Sequence, residues 1–150
     1  MRYGLTVWGF SSLQNLHRVL LLQKNAIRIM AELGFRDSCR GMFKRLKLQT
    51  VANLYIGEVI TYAVNKGLVQ FLDTHPYNTR NRANYRLPAH HLTAYEKKPS
   101  YIGARLFNIL PPTLKEQKSN SNFKEALLDW LLDKEFYSVE ECLQIRRPSH

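Results

Sequence analysis

Apolar positions recur at helical spacing through most of this chain. Leu13, Leu16, Leu20, Ile27 and Ala31 share one face, and Val19, Ala26, Met30 and Leu33 widen it. The spacing predicts a helix over about 13–33, capped by Ser11 or Ser12 and closed by Gly34 as its C′ residue. Its apolar stripe is broader than a surface helix needs, so the helix is expected to pack on two sides. The opposite face carries Gln14, His17, Arg18, Lys24, Asn25 and Arg28, with Leu21 among them. Ser38 is the expected cap of a short helix over Arg40 to Leu46. Thr50 caps an amphipathic helix over about 51–66, ended by Gly67. Val51, Ala52, Tyr55, Ile56, Val59, Ile60, Tyr62 and Ala63 form its core half, leaving Asn53, Gly57, Glu58, Thr61 and Asn65 on the other.

The helical period then stops. Residues 73–100 are polar, turn-forming, basic and aromatic at once, with one or two short strands, or a β-hairpin, expected between Leu87 and Tyr95. Pro76 restricts its own φ and pushes His75 towards extended backbone. Asn78, Thr79 and Asn81 favour turns by bonding their own neighbouring backbone. Periodicity resumes with a helix over about 101–109, capped by Ser100 and stopped by Pro111-Pro112. After a polar break at Lys118–Ser121, another helix runs over about 122–135 with Phe123, Leu127, Trp130 and Leu131 on one face. Ser138-Val139-Glu140-Glu141 is a capping-box pattern that opens a last short helix. The expected fold is therefore mainly α: a single domain of five to six helices around a long irregular basic segment. Its parts are a helical 1–72, a basic aromatic 73–100 and C-terminal helices over 101–150.

Charge adds a partner. The 150 residues hold 22 Lys and Arg against 12 Asp and Glu, a net of +10. Residues 1–50 carry +7 of this and residues 74–106 carry +5, while 51–73 and 107–150 are each at −1. Such a balance invites a polyanion, or serves as a basic solvated surface. The candidate contacts are His17, Arg18, Lys24 and Arg28 on the first helix, with Arg80, Arg82, Arg86, Lys97 and Lys98 in the irregular segment. Arginine and lysine suit phosphates, and the interleaved Tyr77 and Tyr85 suit a base or sugar face. The rival reading makes the segment a structural strap, with Tyr77, Asn78 and Arg80 buried and hydrogen-bonded.

Catalytic chemistry finds few parts. Asp37, Asp73, Asp129 and Asp133 include no adjacent pair to hold Mg²⁺, and there is no P-loop and no Gly-x-Ser-x-Gly elbow. Cys39 and Cys142 make neither a disulfide framework nor a Cys-x-x-Cys metal pair, and adjacent His90-His91 lack ligand spacing. No metal, cofactor or small-molecule substrate is expected for this chain. Two cysteines without a disulfide framework make an intracellular, reducing compartment the expectation, nuclear or cytoplasmic, and no run approaches the roughly 20 apolar residues of a membrane span, so no membrane partner is expected. Tyr3–Gly9 reads as the end of a buried element, which suggests a fragment of something longer.

Several blocks together resemble a known family. Tyr3-Gly4 with Val7-Trp8-Gly9, then Leu20 through Ile29, then Met42-Phe43-Lys44-Arg45-Leu46 look like the region after the polymerase palm in non-LTR (LINE-type, jockey-like) retrotransposon reverse transcriptases. The likeness continues through His75-Pro76-Tyr77-Asn78-Thr79-Arg80-Asn81, Gly103 through Pro111, and Phe123 to Leu132, in the family's order. The resemblance implies the thumb and following region of an RNA-directed DNA polymerase, which helps hold a template–primer duplex. It carries the helix after Trp8 over as thumb-like and Tyr77 to Asn81 as a signature segment. The Tyr/Phe-x-Asp-Asp palm motif, the endonuclease domain and the zinc knuckle are missing, so no catalytic residue has a position here, and Mg²⁺ belongs only to the missing palm. The implied partners are RNA, DNA or an RNA–DNA hybrid, and that palm; the chain alone is not expected to extend a primer. A non-catalytic structural or protein-interaction remnant of a decayed or domesticated element is the alternative.

Overall fold

A computed structural model describes residues 13–67, 70, 82–87 and 98–145. The architecture is mainly helical, with seven helices among the described residues: α1 Leu13–Met30, α2 Met42–Arg45, α3 Val51–Asn65, α4 Pro99–Ile109, α5 Pro112–Glu116, α6 Phe123–Lys134 and α7 Val139–Leu143. The only described extended pairing is an antiparallel bridge between Gln70 and Tyr85. The caps expected at Ser11 and Ser12, the strands between Leu87 and Tyr95, and Tyr3–Gly9 all concern positions largely or wholly outside the described residues.

Helix α3 is the hub. It starts as the sequence predicts: the Thr50 hydroxyl accepts the Asn53 N–H at 3.0 Å, and Gly67 adopts φ 63° past its end. Its burial is wider than its pattern. Asn53 is 0% exposed and Gly57 is buried, although both were expected on the polar half. The cause is α6, which packs on that side. The Asn53 amide donates to the Leu131 carbonyl at 2.7 Å and to Gln49 Oε1 at 2.9 Å, and its oxygen accepts the Phe136 N–H at 3.2 Å. Thr50 Oγ1 also donates to the Phe136 carbonyl at 2.5 Å. This satisfies a buried polar group that would otherwise be costly. Tyr62, expected in the core, is 39% exposed beside Lys66, since no described helix covers that flank.

The opposite side of α3 makes the most extensive helix contact, with α4. Gly103 lies so close to α3 that a Cβ there would stand 1.9 Å from the Val59 carbonyl oxygen. Ala104, Leu106 and Phe107 of α4 join Ile56, Val59, Ile60 and Ala63 in the core. The start of α4 corrects an expectation: Pro99 occupies the first turn after Lys98, and Ser100 already lies inside the helix. Proline suits that turn because its missing N–H has no intrahelical partner there. Likewise Pro112 both follows the end of α4 and opens α5, which periodicity did not signal.

Helix α1 enters the core through Leu16, Leu20 and Ile27, with Val19 half-buried beside them. Gln23 ties it to α3, accepting the Val51 N–H at 2.8 Å and donating to the Gln49 carbonyl at 3.2 Å. The expected second packing side is open: Leu22 is 69%, Ile29 79% and Met30 59% exposed. Its end also differs. Glu32, not Gly34, takes the left-handed C′ position with φ 55°, and the Leu33 N–H reaches the Arg28 carbonyl at 2.8 Å.

The short α2 is not capped by Ser38. Its N-terminal N–H groups are held from far along the chain by buried Glu135, whose carboxylate accepts from Gly41 N at 2.5 Å and Lys44 N at 3.0 Å. Glu135 sits at the C′ position of α6 with φ 51°. One residue thus ends one helix with its backbone and starts another with its side chain. At α7 the capping box is half formed. Ser138 Oγ accepts the Glu141 N–H at 3.1 Å, but Glu141 accepts from Tyr137 N at 2.9 Å instead of reaching back to Ser138.

Candidate nucleic-acid interface

The row His17, Lys24, Arg28 follows one flank of α1, and that flank faces two connectors. Arg28 Nε donates to the Asp37 carbonyl at 3.1 Å, and its Nη1 donates to Asn25 Oδ1 at 3.3 Å. Lys24 Nζ lies 4.4 Å from the Tyr137 ring centroid, while its carbonyl accepts from Cys39 Sγ at 3.5 Å. His17 is exposed at the lip of a cleft of about 150 Å³ shared with Leu16, Ala52, Tyr137 and the turn at 138–140. Lys24 and Arg28 therefore clasp the 36–40 connector and the 137 turn, while Arg18 stands exposed on another side of the helix.

Tyr137 is the focus of this clasp. Arg40 Cζ stacks 3.7 Å from its ring centroid, and Phe43 meets it edge-on at 5.8 Å. Arg40 also donates through Nη1 to the Glu135 carbonyl at 2.7 Å and Glu141 Oε1 at 2.9 Å. The Tyr137 hydroxyl is buried without a hydrogen-bond partner. Burial, with the Glu135 charge adding to it, pushes its pKa up to about 12. Lys44 is likewise taken, by Asp133 at 2.5 Å, and that hydrogen bond and charge lower the Asp133 pKa.

Three cations in the same region are uncommitted. Arg36, Arg45 and Lys47 are exposed and make no ion pair among the described residues. They lie on backbone fixed by other groups: the Asp37 turn, the Glu135 cap, and a left-handed C′ at Lys47 (φ 56°) that closes α2. Charge counting over residues 1–50 includes them, but a helical-face argument centred on α1 passes them over.

In the irregular segment, the described part is anchored. Tyr85 is buried and packs on Phe107, with ring centroids 4.8 Å apart. Its backbone is clamped by Asn108, which accepts the Tyr85 N–H at 2.7 Å and donates to its carbonyl at 3.0 Å. Asn84 is buried and accepts from Lys115 Nζ at 2.6 Å, and Gln70 Nε2 donates to the Ala83 carbonyl at 2.5 Å. Lys118 donates to Gln70 Oε1. Tyr85 is thus core, not a base-stacking ring, and it holds Arg82 and Arg86, both exposed, on either side. Lys98 is exposed at the start of α4. Arg80, Lys97 and the signature Tyr77 to Asn81 lie outside the described residues. The structure brings His17, Lys24 and Arg28 together along one connector face and Arg82 with Arg86 around the Tyr85 anchor.

Among the described residues no group of three His, Cys, Asp or Glu is placed to hold a metal ion, and no helix is long and apolar enough to cross a membrane. No protein-family model matches the chain, and neither a curated protein nor a solved structure matches it.

Proposed function

We propose that this chain is a nucleic-acid-binding, thumb-like accessory part of a retrotransposon RNA-directed DNA polymerase whose catalytic palm lies elsewhere. The observation that carries the reading is the set of exposed cations Arg36, Arg45 and Lys47, unpaired among the described residues and fixed on capped backbone. Arg18, Arg82, Arg86 and Lys98 extend the basic surface. Exposed cations lose little solvation when they meet phosphates and release the counterions condensed there. The order of sequence blocks supplies the polymerase context.

The test is binding of an RNA–DNA hybrid, followed by fluorescence anisotropy across a salt series. Log affinity is expected to fall linearly with log salt, by roughly 0.7–0.9 per neutralised phosphate. Replacing Arg36, Arg45 and Lys47 together with Gln should lower both affinity and slope. Lys24→Gln should change little, because that ammonium serves the Tyr137 ring. Absence of binding at low salt, or a flat slope, overturns the reading. The alternative, a structural or protein-interaction remnant, draws on the burial of Tyr85 and Asn84, which makes the described end of the basic segment part of the core. It predicts a stable fold with no salt-dependent affinity for any nucleic acid.

A further inference from the structure

Helix α1 carries two apolar seams. The inner one, Leu16, Leu20, Gln23 and Ile27, faces the domain core. The outer one, Leu22, Ala26 and Ile29 with Val19 half-buried at the border of the core, repeats at intervals of three, four and three, the a/d spacing of a helix that packs against another helix. Leu22, Ala26 and Ile29 are exposed, and Met30 stands exposed beside them. A solvated face has no physical use for this period.

We infer that the outer seam is the contact between two copies of this chain, packed antiparallel through α1. Three observations select a second copy as the occupant. First, the seam is self-complementary when reversed: Leu22 then meets Ala26 of the second copy, and Ile29 meets its Val19. Leu22 faces the small Ala26, Ile29 faces the slightly smaller Val19, and the reciprocal contacts make an isologous interface. Second, the flanking charges complement themselves. Arg18 lies on α1 near the start of the seam and Glu32 just past the end of α1, both exposed and neither ion-paired among the described residues. Reversal brings Arg18 of each copy to Glu32 of the other, with Asn25 beside Asn25 at the two-fold axis. Third, the area suffices for a weak complex. Covering Leu22, Ala26, Ile29 and Met30 removes roughly 450 Å² per chain, or about 900 Å² for the pair, the size of weak, transient contacts and below that of stable specific interfaces. The dimer is therefore weak, and its population depends on concentration. It takes Arg18 from the extended basic surface but leaves the central set Arg36, Arg45 and Lys47 for phosphate, so failure of the dimer and failure of nucleic-acid binding are separately observable.

Sedimentation velocity of the full chain, from low micromolar to several hundred micromolar, tests this directly. The expected result is a monomer–dimer equilibrium. Ile29→Asp should abolish the dimer while circular dichroism retains the helical signal, because Ile29 touches solvent and not the core. Arg18→Glu should weaken association several-fold, and Arg18→Glu combined with Glu32→Arg should restore it. Ala26→Cys should cross-link to a second copy carrying Leu22→Cys more rapidly than to one carrying Leu21→Cys. A chain that stays monomeric at the highest concentration overturns the inference. So does a dimer indifferent to Ile29→Asp, which would place the contact on another surface.

Discussion

Gly103→Ala tests the tight approach of α4 to α3. The added Cβ would stand 1.9 Å from the Val59 carbonyl oxygen, 2.7 Å from its carbon and 2.9 Å from Ala63 Cβ. A non-bonded carbon and oxygen normally stay more than about 3 Å apart, as even weak C–H···O contacts do. Backbone cannot swing aside as a long side chain can, so α4 must retreat from α3 by about an ångström. A gap of that order forfeits a quarter to a half of each dispersion contact it opens, and this is the most extensive helix contact among the described residues. Overpacking a core costs about 1–3 kcal/mol in ordinary cases, with larger values where strain is severe. Against it stands a helix-propensity gain of about 1 kcal/mol for replacing glycine by alanine. The backbone clash places the net loss near the upper end, about 3 kcal/mol, or roughly a 6–12 °C drop in Tm for a domain of this size. Urea denaturation followed by far-UV circular dichroism reads it out as a lower midpoint at constant slope. Gly57→Ala is the internal control. Its Cβ would meet only side-chain methyls, Leu128 Cδ2 at 3.3 Å and Leu131 Cδ1 at 3.5 Å, which can shift slightly. It should be near neutral. A Gly103→Ala variant as stable as the parent, or more stable by its propensity gain, would refute the account of α3–α4 packing.

Two further outcomes follow from single groups. Glu135→Ala strips the acceptor from the Gly41 and Lys44 N–H groups and should cost about 2–3 kcal/mol in urea denaturation, with Glu135→Gln between it and the parent, since hydrogen bonds to a charged group are worth about 1.5–3 kcal/mol; equal stability of Ala and parent would remove the cap from the argument. Burial, with Glu141 adding, raises the Cys142 pKa from 9.0 to about 12, and burial raises Tyr55 from 10.0 to about 12. The unfolded chain loses these protons first, so their stabilising effect is complete below about pH 9 and is lost as pH rises towards 12. The urea midpoint should therefore begin to fall near pH 9, and Cys142→Ala should move that onset towards the tyrosine range near pH 10; an onset unmoved by the substitution would show that Cys142 is not its source.

The periodicity of α1, α3 and α6 was legible because a helix face buried in a core must be apolar every three or four residues. Thr50, Gly67 and Ser138 were legible as termini because their signals act within one turn. The misread positions share a cause. Asn53 and Gly57 looked like a polar face because sequence reports a residue's own chemistry, not the helix that will cover it. The Leu131 and Phe136 backbone that satisfies Asn53 arrives from about 80 residues away. The C′ positions at Glu32, Lys47 and Glu135 carry no glycine to announce them. The cap of α2 is supplied by Glu135, far outside any local window. The candidate site divides in the same way. Net charge and its concentration in residues 1–50 and 74–106 follow from the sequence alone. Which cations remain available was decided by tertiary structure, because packing brought Tyr137, Asp133, Glu141 and the Asp37 carbonyl against Lys24, Arg28, Arg40 and Lys44 and left Arg36, Arg45 and Lys47 facing water. Charge is a property of each residue, whereas its availability depends on long-range neighbours that only the folded chain assembles.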